Sequence, residues 1–274
     1  MNEMTKDMQP GRLLGAVEAI SRRAGHAILE VYSGEFDVAH KDDRTPITEA
    51  DMAAHREIIS SLRELDPETA VLSEESSHIP FAERREWRRY WLVDPLDGTR
   101  EFIKRNGEFT VNIALIEDHE PVLGVVYAPA LDRAYAACRG GGAFRRDGEA
   151  ERQPIHARRL PEGPLTVAGS RSHVSEAMGG YLERLGRHEL LPVGSALKFG
   201  LVAEGAADLY VRLGKTSEWD TGAGQCVVEE AGGHVTDTSM QRLRYNTKES
   251  LLNPEFFVFG DDSVDWSKYL GERV

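Results

Sequence analysis

Residues 90–102 read YWLVDPLDGTREF. Tyr90-Trp91-Leu92-Val93 carries the aromatic and β-branched residues that strands favour, and it runs straight into Asp94-Pro95. A strand is expected to end there. Proline stiffens the exit, and two acids, Asp94 and Asp97, lie three residues apart. Gly98 lets the backbone approach a ligand closely, and Thr99 adds a hydroxyl. A helix or tight turn starting here would aim the Gly98 and Thr99 amides outward, where they can hold a phosphate. The same string also suits a plain acidic turn with an aspartate N-cap, so its meaning depends on what gathers nearby.

Three other acidic sites have the same character. Glu74-Glu75 closes a short apolar stretch, Ala70-Val71-Leu72. Asp220 lies in Ser217-Glu218-Trp219-Asp220-Thr221-Gly222-Ala223-Gly224, just ahead of an expected helix. Asp51 comes three residues after Thr48 in TEAD, at the start of another. Each alone is an ordinary cap or turn acid. Four acidic strand-end or helix-start sites, one with a Gly-Thr phosphate cradle, suit hard divalent cations with oxygen ligands. Two such ions about 4 Å apart would clamp the attacking and leaving oxygens of a phosphoryl displacement.

The rest of the chain predicts a mixed α/β protein. Apolar residues recur at helical spacing over about 11–33, from Leu13 to Val31. A second helix is expected to start near Thr48, with Met52, His55, Ile58, Ile59 and Leu62 on one side. Thr110–Ile116 and Val122–Tyr127 read as a hairpin that Ala134–Cys138 extends before the turn at Gly140-Gly141-Gly142. Further on, strands are expected at 165–168, 207–211, 233–236 and 256–259, and helices at 175–186, 196–204 and 221–231. That texture places an α+β domain at 1–155, carrying most metal ligands, and an α/β domain at 156–274, carrying Asp220 and substrate-binding residues. Apolar content dips between them, at RRDGEAERQP.

Of 274 residues, 41% are hydrophobic, ordinary for a globular chain. No apolar run approaches the roughly 18 residues of a membrane span. Met1–Gly11 is polar, so a signal peptide is not expected. Cys138 and Cys226 lie among apolar or small residues and read as reduced thiols in a cytoplasmic protein. Peripheral attachment at the inner face of the cell membrane would leave no mark, and the oligomeric state is open. A formal charge of −13 argues against nucleic acid as a partner. It does not exclude a small anionic ligand, because a metal or basic pocket can invert the local field.

With these pieces in place, the chain resembles the lithium-sensitive, magnesium-dependent phosphatases of the inositol monophosphatase superfamily. The matching segments are TEAD at 48–51, LSEES at 72–76, WLVDPLDGTREF at 91–102 and EWDTGAGQCVVEEAGG at 218–233, in family order. The resemblance implies a layered αβαβα sandwich holding two or three magnesium ions. It implies Glu74, Asp94, the Leu96 carbonyl, Asp97 and Asp220 as metal ligands. Thr99 with Asp51 would orient and help deprotonate the attacking water, with Glu74 also in a catalytic role and Glu75 assisting at the edge.

EFIKRNGEFTVNIALI at 101–116 and GVVYAPA at 124–130 are similar to the bacterial 3'(2'),5'-bisphosphate nucleotidases. That branch removes the 3'-phosphate of 3'-phosphoadenosine 5'-phosphate, giving AMP and phosphate and clearing a by-product of sulfate activation. The substrate would contact Glu74, Leu96, Asp97, Gly98, Thr99, His173, Ser195, Lys198, Arg212 and Asp220. Inositol-specific relatives carry an acid where this chain has Arg212, and an arginine fork suits a second phosphate better than a polyol. Lys198 and Arg212 as plain surface charges, and His173 as a plain loop histidine, stay open. So do an inositol monophosphatase or broad sugar-phosphate phosphatase, and a non-catalytic nucleotide- or metal-binding protein on the same fold. Gly222 and Gly224 replace residues that are more often alanine in the family. They lower helix propensity behind Asp220, which puts its fine positioning in question.

Overall fold

A computed structural model describes residues 9–35, 38–40, 46–169 and 175–271. Helix α1 spans Pro10–Ser33, followed by a short antiparallel pair, β1 (Val38–His40) and β2 (Pro46–Thr48). Helix α2 (Glu49–Leu65) leads into β3 (Ala70–Ser73), the single turn of helix α3 (Phe81–Arg84) and β4 (Arg89–Asp97). Helix α4 (Thr99–Ile103) is five residues long. The meander β5 (Thr110–Glu117), β6 (Glu120–Ala128), β7 (Arg133–Cys138), β8 (Gly142–Asp147) and β9 (Gln153–Ile155) completes a seven-stranded sheet in sequence order. Only β3 and β4 pair in parallel; the remaining neighbours are antiparallel.

The second sheet is built from β10 (Leu165–Gly169), helix α5 (Glu176–Leu185), β11 (His188–Pro192), helix α6 (Leu197–Ala203), β12 (Leu209–Arg212), helix α7 (Glu218–Glu230), β13 (His234–Asp237) and β14 (Phe256–Phe259). Its strand order is β11-β10-β12-β14-β13.

Period-2 alternation sorts the side chains into three apolar layers. On β4, Trp91 and Val93 face α1 and α2 with Val111, Ile113 and Leu115 of β5. Tyr90 and Leu92 face the other way, with Ala114 and Ile116, onto α6 and α7. Those helices are also covered by Ala168, Tyr210, Phe256 and Val258 of the second sheet. Val167, Leu209, Val211 and Phe257 point outward onto α5 and Trp266. The result is the expected αβαβα sandwich.

Two local readings change. On α2 the buried ridge is Ala50, Ala54, Ile58 and Leu62, while Met52, His55 and Ile59 are half-buried. Alanines at i, i+4 spacing let α2 lie close against α1, a contact that hydrophobicity alone underweights. Strands β8, β9 and β11 escaped the pattern because they are edge or near-edge strands carrying few buried residues.

The two glycines of α7 serve packing. The helix runs between the sheets, and a Cβ on Gly224 would collide with the Phe199 ring of α6. A Cβ on Gly222 would meet Leu92 Cδ2 at 3.0 Å and Ala114 Cβ at 3.4 Å. From the sheet side, Gly124 of β6 leaves room for the Ala223 carbonyl. Gly224→Ala gains roughly 0.5–1 kcal/mol of helix propensity and loses about 1–3 kcal/mol through overpacking. The expected net result is a lower Tm by differential scanning calorimetry. Gly222→Ala, whose nearest neighbour lies at 3.0 Å rather than in outright overlap, should change Tm less; a Gly224→Ala protein more stable than wild type would show that α6 yields without strain.

Candidate active site

β4 does not stop at Asp94. Pairing with β5 continues to Asp97, but Asp94 lies opposite Asn112 while Asp97 lies opposite Thr110, so β4 carries one extra residue between them. Residues three apart on a regular strand point to opposite faces; the bulge cancels that alternation and re-aims the chain. Asp94 and Asp97 therefore line the same cleft. Within the bulge the Leu96 amide donates to Asp94 Oδ1 at 3.0 Å. Gly98 then takes φ 90° and ψ 38°, a left-handed conformation that suits glycine, and α4 starts at Thr99.

Glu74 opens a single 3-10 turn directly after β3. Because Ser73 pairs with Val93 in parallel, the next residues on the two strands, Glu74 and Asp94, come side by side and share a hydrogen bond between their carboxyl groups. Glu75 lies in the same turn, half-buried and outside the cleft lining.

Asp51 and Asp220 arrive by one device used twice. Each is the third residue of a helix and closes a capping box with the residue before the helix. The Thr48 amide and hydroxyl both donate to Asp51 Oδ2 at 2.7 Å. The Ser217 amide donates to Asp220 Oδ2 at 2.9 Å. One carboxylate oxygen is thus locked to the backbone and the other is left for chemistry. Asp51 Oδ1 stands 3.4 Å from Thr99 Oγ1, which is also 3.5 Å from the Leu96 carbonyl.

Glu74, Asp94, Leu96, Asp97, Gly98, Thr99, Ser195, Lys198, Arg212 and Asp220 all line one cleft of about 540 Å³ between the two sheets. Burial, and then the charges of Glu74, Asp97 and Asp220, push the Asp94 carboxyl well above the usual range. Burial followed by Asp97 does the same to Asp220. Asp97 is raised chiefly by burial, with Lys198 pulling the other way. Among the described residues no three acid, imidazole or thiol groups already close on one point; the acids ring an open cleft. Crowded carboxylates and a backbone carbonyl, all oxygen donors short of water, fit a hard divalent cation that shares its remaining coordination with a ligand.

The cleft also carries cations. Lys198 is buried and its ammonium is brought down to about 8, mainly by burial, with Asp97 opposing. It donates to the Ser195 carbonyl at 2.6 Å and lies 5.2 Å from the centre of the Tyr210 ring. Ser195 itself is held at φ 48°, unusual for a non-glycine residue and a sign of an over-determined turn. Arg212 gives one nitrogen to the Lys215 carbonyl at 2.9 Å, while its Nε is buried without a hydrogen-bond partner among the described residues. His173 lies outside the described residues. Arg100, Lys215, Trp219 and Leu252 also line the cleft and were not singled out. The cation three residues past Arg212 and the tryptophan beside Asp220 were visible signals; nothing local marks Leu252.

The family model described as the inositol monophosphatase family matches residues 11–258. A 3'(2'),5'-bisphosphate nucleotidase CysQ of Salmonella typhimurium is 49% identical over 248 residues, covering 90% of this chain and 99% of that protein. The protein of that name from Haemophilus influenzae is 40% identical over 255 residues, covering 93% of this chain and 95% of its own. Among solved structures, CysQ from Bacteroides thetaiotaomicron, a bacterial member of the inositol monophosphatase family, superposes with a TM-score of 0.78 at 39% identity, covering 89% of this chain and 95% of that one.

Asp94→Asn should stabilise the metal-free protein, because it removes a buried like charge facing three others. In excess chelator its Tm should exceed that of wild type, by roughly 2–4 °C per kcal/mol of relief at this chain length. An unchanged or lower Tm would mean that the four acids do not strain one another.

Proposed function

The chain belongs to the inositol monophosphatase family, and from that premise we propose that it is a magnesium-dependent 3'(2'),5'-bisphosphate nucleotidase acting on 3'-phosphoadenosine 5'-phosphate. The observation that carries this reading is the mixed charge of the cleft. Four carboxylates and the cations Lys198, Arg212 and Lys215 line it together, and Lys198 and Arg212 act on Asp97 against the rise that burial imposes. A mononucleotide with two phosphates matches that combination of acids and cations, and the guanidinium of Arg212, which lines the cleft, suits the second phosphate. A neutral polyol could accept from the guanidinium but offers no charge to pair with it, which disfavours the inositol monophosphatase alternative. The non-catalytic alternative is disfavoured by the presence of every acid the chemistry needs.

When bound to Glu74, Asp94, the Leu96 carbonyl, Asp97 and Asp220, magnesium polarises the ester phosphate and acidifies water. The remaining work falls to this chain. Thr99 Oγ1 holds the attacking water by hydrogen bond and relays its proton toward Asp51 Oδ1, which the capping box keeps oriented. The Gly98 and Thr99 amides steady the phosphoryl oxygens. The water oxygen bonds to phosphorus in line with the 3'-oxygen, whose bond to phosphorus breaks, and the leaving oxygen takes up a proton. The products are AMP and inorganic phosphate. Lys198 and Arg212 hold the 5'-phosphate, fixing which ester meets Thr99.

Phosphate release should be compared across 3'-phosphoadenosine 5'-phosphate, inositol 1-phosphate and fructose 1,6-bisphosphate. The nucleotide should be strongly preferred with magnesium, and excess chelator should abolish turnover until magnesium is restored. Full activity in chelator, or a preference for inositol 1-phosphate, would overturn the proposal.

Arg212→Ala should lower kcat/KM for 3'-phosphoadenosine 5'-phosphate by about ten- to a hundred-fold, equivalent to roughly 1.5–3 kcal/mol for a charge-assisted hydrogen bond. On 3'-AMP, which has no second phosphate, the same variant should change little. Equal losses on both substrates would mean that Arg212 shapes the cleft without reading the 5'-phosphate.

A further inference from the structure

We infer that Asn253 is a positioning residue for Asp220, a role that rests on the magnesium-site reading above. Asp220 moves with Ser217, because the capping box ties its Oδ2 to the Ser217 amide. Ser217 lies in the connection between β12 and α7, which belongs to no helix or strand. Asn253 anchors that connection. Its backbone amide donates to the Thr216 carbonyl at 2.8 Å. Its Nδ2 stands 2.6 Å from the Ser217 carbonyl, 3.1 Å from Thr221 Oγ1 and 3.2 Å from Thr216 Oγ1. One carboxamide thus grips the chain on both sides of Asp220 without lining the cleft itself.

The segment bearing Asn253 is itself tied to the other half of the site. Leu252 bridges Ser217, and the Glu218 amide donates to the Leu251 carbonyl at 2.8 Å. The Asn246 amide donates to Glu218 Oε2 at 2.8 Å. Asn246 in turn exchanges hydrogen bonds with Arg84, accepting from its Nη1 at 2.6 Å and donating to its carbonyl at 2.5 Å. Arg84 ends α3, which connects β3 and β4, the strands that deliver Glu74 and Asp94. Residues 246–253 therefore clasp the Asp220 turn to the strands carrying the facing acids. A capping box fixes a carboxylate relative to its own helix; this clasp fixes it relative to the ligands across the cleft.

Outer partners that orient a metal ligand typically contribute about ten- to a hundred-fold in metal affinity. Magnesium binding should be measured by calorimetric titration, without substrate, on wild type, Asn253→Ala and Val17→Ala. Val17 is fully buried among α1 and α2 and serves as a stability control. Asn253→Ala should bind magnesium about ten-fold more weakly and need correspondingly more of it for half-maximal turnover. Its relative kcat/KM for 3'-phosphoadenosine 5'-phosphate against 3'-AMP should stay as in wild type. Val17→Ala should lose Tm and keep its magnesium affinity. If Asn253→Ala does not fold, Asn253→Leu, of similar volume but without the amide donors, should show the same weakening. Magnesium affinity within about two-fold of wild type in the folded variant, or an equal loss in Val17→Ala, overturns the positioning role. Absence of magnesium binding by wild type is a different failure, that of the site reading itself.

Discussion

Glu74, Asp94, Asp97 and Asp220 face one cleft from which their neighbours exclude much of the water, and burial together with neighbouring carboxylates raises the Asp94 and Asp220 carboxyls well above their usual range. Left to a flexible loop, such groups would swing apart into solvent. The surrounding structure prevents this. Asp94 and Asp97 belong to a strand flanked by pairing on both sides, Glu74 follows the neighbouring strand in register, and Asp220 sits on a helix pressed between two sheets. Crowded oxygen ligands of this kind suit a divalent cation, whose charge would relieve the repulsion.

Aiming those acids takes ordinary pieces of backbone chemistry. The bulge in β4 turns an i, i+3 pair to one side. Two capping boxes hold Asp51 and Asp220 by one oxygen each. A capping acid is normally a matter of helix stability; in both helices here the same bond also fixes where the second carboxylate oxygen lies. Stability of the helix start and orientation of the functional group are therefore the same interaction, and neither can be lost alone.

The central helical layer links the Asp220 and Lys198 sides of the cleft. Gly224 allows α7, which carries Asp220, to touch the Phe199 ring of α6, which carries Lys198. The placement of those two side chains is thus set by helix-to-helix contact. The doubt raised by the low helix propensity of Gly222 and Gly224 is answered by that contact, since the space a methyl group would occupy is already filled.

Much of this was legible in the chain itself. YWLVDPLDGT, TEAD and SEWDTGAG are short signals whose meaning depends on spacing, and spacing survives folding: α2 starts after Thr48 as TEAD predicts, whereas β4 runs on to Asp97, past the end expected at Asp94, and α7 begins at Glu218, ahead of the start expected at 221. β5 and β6 lie where the predicted hairpin places them, and both faces of β5 are buried. What only the tertiary structure decided is how sequence-distant pieces meet. The one-residue bulge comes from the mismatch between Asp94–Asn112 and Asp97–Thr110 pairing, which no property of β4 alone reveals. Strands β8, β9 and β11 bury too little to leave a pattern. Arg212 acquired its orphaned Nε, and Asn253 its three hydrogen bonds around Asp220, only once the turn between β12 and α7 was set against residues 246–253. Local chemistry is written in neighbouring residues; the satisfaction of a buried polar atom depends on whatever the fold brings opposite it.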